Sequence, residues 1–326
     1  MKFVAWMAYH LESREIVDDY IRRIRPLLSG HELVVCEDHE SVKREIADAD
    51  VMIGWRITPE VFAEARRLKW IQFGSSGIDH TVFPELLESD VVLTTLSGVH
   101  TEVVAEHVLA QVLALTRRLD LSMKLQARRE YDRSEIAATA EELAGKTLGV
   151  VGLGKIGLNI ARLAKALGVT VVGTKRTVTG DLLNVDRVFP ADHLRDMLPI
   201  CDILVLVAPL TLDTRAMIGR EEIALMKDGA YLINVARGAM LDHDALADAL
   251  ATGKLRGAAL DVFPEEPLPS DSPIFGLPNT MITPHTAGSH PRYSATAADI
   301  FRRNLEAFLA GEAGGMVNVY DGERGY

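Results

Sequence analysis

The stretch TLGVVGLGKIGLNIARLAKALG, from Thr147 to Gly168, constrains this chain more than any other. An apolar, Val-rich run breaks into glycines at 152, 154 and 157 and then continues as a segment with helical period. A strand that turns sharply into a helix at GxGxxG opens a βαβ unit with a set purpose for each glycine. The first permits the tight turn, the second lets a pyrophosphate approach the backbone, and the third allows the helix to pack closely on the strand. The helix start then offers unpaired N–H groups to the phosphates. Gly152, Gly154, Lys155, Ile156 and Gly157 are therefore expected to cradle a dinucleotide.

The matching acid that holds the ribose of NAD belongs about 20 residues further on. Here the next apolar run ends in VVGTKRT, and no carboxylate follows until Asp181. Lys175 and Arg176 occupy the place of the acid, where two basic side chains suit the 2′-phosphate of NADP, with Thr177 as a further donor. NADP is the preferred cofactor on this reading, with NAD as the other candidate.

At 326 residues and 48% hydrophobic content, the chain is long enough for two packed cores. Its net charge of −11 and scattered Lys and Arg leave no basic stripe, so small molecules rather than nucleic acid are the expected partners. Cys36 and Cys201 stand alone, without disulfide or zinc spacing, which points to no metal and to a reducing cytoplasm. The first twenty residues make a poor signal peptide, and no apolar run approaches the ~20 residues of a membrane span.

Strand-like and helix-like segments alternate throughout, the pattern of an α/β protein. In the first hundred residues KFVAWM, HELVVCE, DVMIGW, KWIQFG and VVLTTL read as strands. A long helix is expected from Thr101 through TEVVAEHVLAQVLALTRRL. From Thr147 a second cycle runs through TLGVVGLG, VTVVGTK, CDILVLVAP, GAYLINVA, GAALDVF and TMITPH, apolar runs suited to a parallel sheet covered on both faces. A last helix spans roughly 291 to 310.

Three groups fall near the ends of successive strands of that cycle: Arg237 in NVARG, Glu266 in FPEEP and His285 in TPHTAG. Ligands of open parallel sheets bind at those ends. Arg can grip a carboxylate and polarise a ketone, His⁺ can protonate the ketone oxygen, and Glu⁻ can keep that His protonated. Together they suit reduction of a 2-keto acid.

With these motifs in this order, from FGSSGIDH through VHTEVVAEHVLA, GKTLGVVGLGKIG, APLTLDTRAMIG, NVARG and LDVFPEEP to TPHTAG, the chain resembles the D-isomer-specific 2-hydroxyacid dehydrogenases, including glyoxylate/hydroxypyruvate reductases. The resemblance implies Arg237 as the substrate arginine, His285 as acid/base and Glu266, rather than Glu265, as its partner. It further implies backbone amides at Ser76 and Gly77 for the substrate carboxylate, Asp261 beside the nicotinamide, and Pro209 and Thr214 on the adenine side. Two Rossmann-like/flavodoxin-like domains with parallel sheets are implied, 1–100 plus 291–326 for substrate and 101–290 for dinucleotide, with the active site in the interdomain cleft and a homodimer as the assembly. The sequence reading sets His80, His100, His107 and His290 aside as packed, capping or exposed. Two further readings stand beside it. One is a non-catalytic dinucleotide sensor like the C-terminal-binding corepressors. The other is formate or phosphite oxidation, against which Glu266 stands where formate dehydrogenases pair their histidine with glutamine.

Overall fold

The computed structural model describes residues 1–7, 14–178, 180, 182–322 and 324–325; Asp181 lies outside them. The chain divides into two compact units, Met1–His100 with His290–Tyr326, and Thr101–Ser289.

The first unit holds β1 (Lys2–Trp6), β2 (Glu32–Cys36), β3 (Val51–Gly54), β4 (Trp70–Phe73) and β5 (Val92–Thr94), all parallel in the order β2-β1-β3-β4-β5. This is the flavodoxin-like order. β1, β3 and β4 are apolar and buried along nearly their whole length, as strands covered on both faces must be. One face is closed by the Arg14–Ile24 helix and by the Tyr293–Leu309 helix, which returns from the far end of the chain. Trp70 lies nearly parallel to Phe301 with ring centres 5.5 Å apart. Buried Asn304 donates to Gln72 Oε1 at 2.9 Å, fixing the helix in register over β4.

The second unit holds β6 (Thr147–Val151), β7 (Thr170–Lys175), β8 (Arg187–Pro190), β9 (Ile203–Leu206), β10 (Ala230–Asn234), β11 (Leu255–Leu260) and β12 (Thr280–Ile282). They form one parallel sheet in the order β12-β11-β10-β9-β6-β7-β8. The strand order reverses between β6 and β9, the switch point where such sheets bind ligands. β8 is an addition to the sequence reading. Its four residues RVFP carry only one buried side chain, too little apolar pattern to announce an edge strand.

The helix from Thr101 ends at Thr116, short of the expected Leu119. Arg118 breaks it by adopting a left-handed conformation, φ 57°, with its guanidinium buried against Asp120 and Asn279. The Lys155–Ala166 helix packs against the Thr101–Thr116 helix, where Asn159 donates to the Thr101 carbonyl and to Glu102. No helix among the described residues is long and apolar enough to cross a membrane.

Candidate active site

The cradle after β6 is built from backbone. Gly152 takes φ +105°, and a Cβ there would come within 2.8 Å of the Ala208 backbone. A Cβ at Gly157 would overlap the Gly152 carbonyl, so the helix can seat on the turn only with glycine at that position. At Gly154 an added Cβ meets nothing within 4 Å, and this residue caps the Lys155–Ala166 helix without any side-chain cap. The loop is thus tight toward the protein and open on the side where the first helical N–H groups point. Anions bind such helix starts without further machinery, so these residues fit a dinucleotide. Beyond β9, the 209–214 turn folds on itself, Thr214 Oγ1 donating to the Pro209 carbonyl at 2.8 Å and accepting from the Thr211 amide at 2.8 Å.

Lys175 is the last residue of β7, and its ammonium donates to the Leu153 carbonyl at 3.1 Å. It therefore lies back over the glycine turn, with Arg176 and Thr177 exposed just beyond.

The second part of the site gathers at the ends of β10, β11 and β12. Buried Asn234 ends β10 and holds the next turn by accepting from the Ala236 amide and donating to the Arg237 carbonyl, both at 3.0 Å. Gly238 follows because any side chain there would run into the backbone of Phe263 and Pro264. That close approach brings the arginine turn onto the loop that carries Glu266. The Arg237 guanidinium donates to the Ala236 carbonyl at 2.8 Å.

Glu266 Oε1 accepts from the Phe263 amide at 2.8 Å, and Oε2 lies 2.6 Å from His285 Nδ1. Burial alone pushes the Glu266 carboxyl up, but the bonds from His285 and the Phe263 amide, with the charges of His285 and Arg237, outweigh it and hold the group below the ordinary glutamate value. Glu265 is exposed and makes no bond to His285. With Nδ1 committed to Glu266, Nε2 is the nitrogen left to meet a substrate. His285 itself has φ +52°, a region that a non-glycine residue enters only under constraint and that recurs at functional sites.

The constraint comes from Asp261, just past β11 and 1% exposed. Its carbonyl accepts from the His285 amide at 2.8 Å. Its carboxylate accepts from the Thr283 hydroxyl at 2.5 Å and from the amides of Thr286 and Ala287 at 2.9 and 3.0 Å. Thr283, in turn, is reached from the Thr101–Thr116 helix by His107 and Gln111. Sequence reasoning set His107 aside and did not single out Gln111 or Thr283. The sequence sign was slight, since His107 and Gln111 stand four apart on one face of a helix that also carries Glu102 and Glu106.

In the first unit, the turn after β4 carries Ser76 and Gly77. Ser76 Oγ donates to the Leu96 carbonyl at 3.1 Å and Ser75 Oγ to the Gly77 carbonyl at 3.0 Å. Neither the Ser76 nor the Gly77 amide donates to an acceptor among the described residues. The Tyr293 hydroxyl bonds to the Gly74 carbonyl at the head of that turn, and Tyr293 stacks on His100.

A glycine cradle and an Arg, Glu and His set at the strand ends of one parallel sheet define the class: an oxidoreductase that uses a nicotinamide dinucleotide. The family model described as "D-isomer specific 2-hydroxyacid dehydrogenase, NAD binding domain" matches residues 109–287. The chain is 36% identical over 278 residues to glyoxylate reductase of Thermofilum pendens, covering 84% of this chain and 82% of that one. It is 36% identical over 284 residues to D-3-phosphoglycerate dehydrogenase of Methanocaldococcus jannaschii, covering 86% of this chain but only 54% of that longer protein. Among solved structures, the NADPH-dependent glyoxylate/hydroxypyruvate reductase of Sinorhizobium meliloti, in complex with NADP and sulfate, superposes with a TM-score of 0.85 at 26% identity, covering 100% of this chain and 99% of that one. The chain belongs to the D-isomer specific 2-hydroxyacid dehydrogenase family. It is a catalytic oxidoreductase of the 2-keto/2-hydroxy acid couple rather than a non-catalytic sensor.

Proposed function

We propose that the chain is an NADP-preferring reductase of small 2-keto acids, with Arg237 binding the substrate carboxylate and ketone, His285 donating the proton and Glu266 sustaining it. The observation that carries this reading is the 2.6 Å pair of His285 and Glu266 within the electrostatic reach of Arg237. The bound dinucleotide supplies the hydride. Arg237 orients the keto acid and polarises its carbonyl as negative charge develops on the oxygen. His285 then delivers a proton from Nε2, and Glu266 stabilises the imidazolium before that transfer. The unengaged Ser76 and Gly77 amides suit the substrate carboxylate, as donors that no side chain crowds.

For the cofactor, Gly152, Gly154, Lys155, Ile156 and Gly157 take the pyrophosphate, with Pro209, Thr214 and Asp261 at the adenine and nicotinamide ends. The basic end of β7 is what favours NADP. Lys175 is anchored over the cradle by the Leu153 carbonyl, and with Arg176 and Thr177 it gives a 2′-phosphate several donors and no carboxylate to repel it. The same reading places the protein in the cytoplasm, in keeping with two buried free thiols, Cys36 and Cys201. It also makes the protein a homodimer through its second unit. There the Leu119–Ala127 helix exposes Leu119 and Met123 one turn apart, Tyr131 is fully exposed, and the Ser134–Thr139 helix buries none of its residues. Such a dimer would cover these exposed side chains, and sedimentation at micromolar concentration measures it.

The deciding assay follows reduced-cofactor absorbance with glyoxylate, hydroxypyruvate, pyruvate, phenylpyruvate and longer 2-keto acids, each with NADPH and NADH, beside formate with NADP and NAD. Turnover of a 2-keto acid faster with NADPH supports the reading. Oxidation of formate in preference to any keto acid reduction overturns it.

A further inference from the structure

His107 and Gln111 approach one atom, Thr283 Oγ1, at 3.2 and 3.4 Å. The hydroxyl proton of Thr283 is already committed, because Oγ1 lies 2.5 Å from Asp261 Oδ1 and an ionised carboxylate can only accept. Thr283 therefore offers only lone pairs to the helix, and His107 must carry hydrogen on Nε2 to bond there. Gln111 Nε2 stands 3.0 Å from that same ring nitrogen, donor against donor. Turning the amide over, an exchange that heavy-atom positions do not distinguish, places its oxygen there as an acceptor, so that Gln111 holds the His107 ring and His107 bonds Thr283. Gln111 is only 3% exposed, and its Oε1 has no hydrogen-bond partner among the described residues in the orientation shown. A buried amide so poorly satisfied calls for a specific reason to be there. The ring it holds, His107, bonds the Thr283 hydroxyl that clamps the His285 loop.

We propose that His107 and Gln111 are positioning residues for His285. Gln111 holds the His107 ring, His107 fixes the Thr283 hydroxyl, Thr283 and the Thr286 and Ala287 amides fix the Asp261 carboxylate, and Asp261 holds the His285 backbone at φ +52° with Nδ1 against Glu266. The kinetic consequence rests on the reading under Proposed function; the geometric one does not.

The test uses the full-length protein with Thr283→Val, Thr283→Ser, His107→Leu and His107→Asn. A shift of about 1 Å in a reacting group can lower a rate on the order of 100-fold. Thr283→Val and His107→Leu are accordingly expected to lower kcat by roughly 10- to 100-fold, with KM for the keto acid changed less than about threefold. Thr283→Ser keeps the hydroxyl and His107→Asn keeps an N–H donor, so both should recover most of the rate. In parallel, diethyl pyrocarbonate labelling of His285 is read by peptide mass at one fixed pH. Loosened from Glu266, the ring should react faster in Thr283→Val and His107→Leu than in the unmodified protein. Unchanged kcat, loss without recovery in the conservative variants, or unchanged His285 labelling in variants of native circular dichroism overturns the proposal. If the unmodified protein reduces no 2-keto acid, the functional reading fails while the labelling ratios still decide the clamp.

Discussion

The loops after β6 and β12 leave the same end of one parallel sheet, yet the first puts glycine in the left-handed region and the second puts histidine there. At Gly152 that conformation is free, and the loop's work is done by N–H groups that any sequence would supply once the glycines allow the turn. At His285 it costs roughly 1–3 kcal/mol, which the bonds from Asp261 must offset, and on the proposed reading the side chain itself is the working part. One loop tolerates change of side chain and forbids added bulk; the other tolerates almost no change in the side chain it displays.

The sharpest test of this contrast is His285→Asn, since asparagine also tolerates left-handed backbone. We expect activity to fall by about 10²- to 10⁴-fold, the usual worth of a general acid, while the melting temperature stays near that of the unmodified protein. A large drop in melting temperature would mean that the ring mainly holds the loop together. Next in size is Arg237→Lys, which keeps the charge but not the planar fork. Its kcat/KM should fall by at least ~100-fold, about 2.7 kcal/mol, and near-normal kinetics would remove Arg237 from the substrate site.

At the cradle side, Lys175→Asp should lower kcat/KM for NADPH by roughly 10-fold or more and partly recover NADH use, as expected for one lost charge-assisted bond. Arg176→Ala should cost NADPH more than NADH. Equal use of both cofactors by the unmodified enzyme would break that part of the contrast.

Glu266→Gln probes charge at the proposed acid/base pair. On the proposed reading Glu266 stabilises the imidazolium that donates the proton, so removing its charge should lower kcat for ketone reduction. An unchanged kcat, with chemistry limiting, would argue against the pair. Stability follows a separate rule. A carboxyl held below its ordinary value contributes fully above the unfolded value of about 4.3 and loses that contribution as pH falls through the folded value. Acid unfolding of Glu266→Gln should therefore lack that part of the pH dependence. The smallest effect is expected for Lys155→Ala, where a backbone cradle predicts a change in cofactor KM of less than about threefold.

The contrast also explains what the sequence could disclose. Glycines at 152, 154 and 157 are legible because their spacing carries the backbone shape directly, and the apolar strands show because burial on both faces leaves no polar alternation. β8 escaped notice, being four residues at the sheet edge with a single buried side chain. The helix stop at Arg118 carries no glycine or proline signal, since a buried ionic contact rather than local propensity sets it. Glu266 and His285 could be named as residues, but the left-handed histidine could not, because the bonds that enforce it join β11 to β12. His107 shows the same limit more strongly. Its partner Thr283 is 176 positions away in sequence.

The first unit closes only when the Tyr293–Leu309 helix covers Trp70 and the β1–β4 face, and that helix follows the whole of the second unit in the chain. On a ribosome, the earliest strands are therefore made long before the piece that seals them. Domains complete in synthesis generally fold as units, so Thr101–Ser289 can finish its sheet while Phe3, Trp70 and their neighbours still wait for Phe301 and Leu305. The exposed apolar face in that interval is what a chaperone would hold. A nascent chain arrested before Tyr293 is then a finished second unit joined to an unfinished first one.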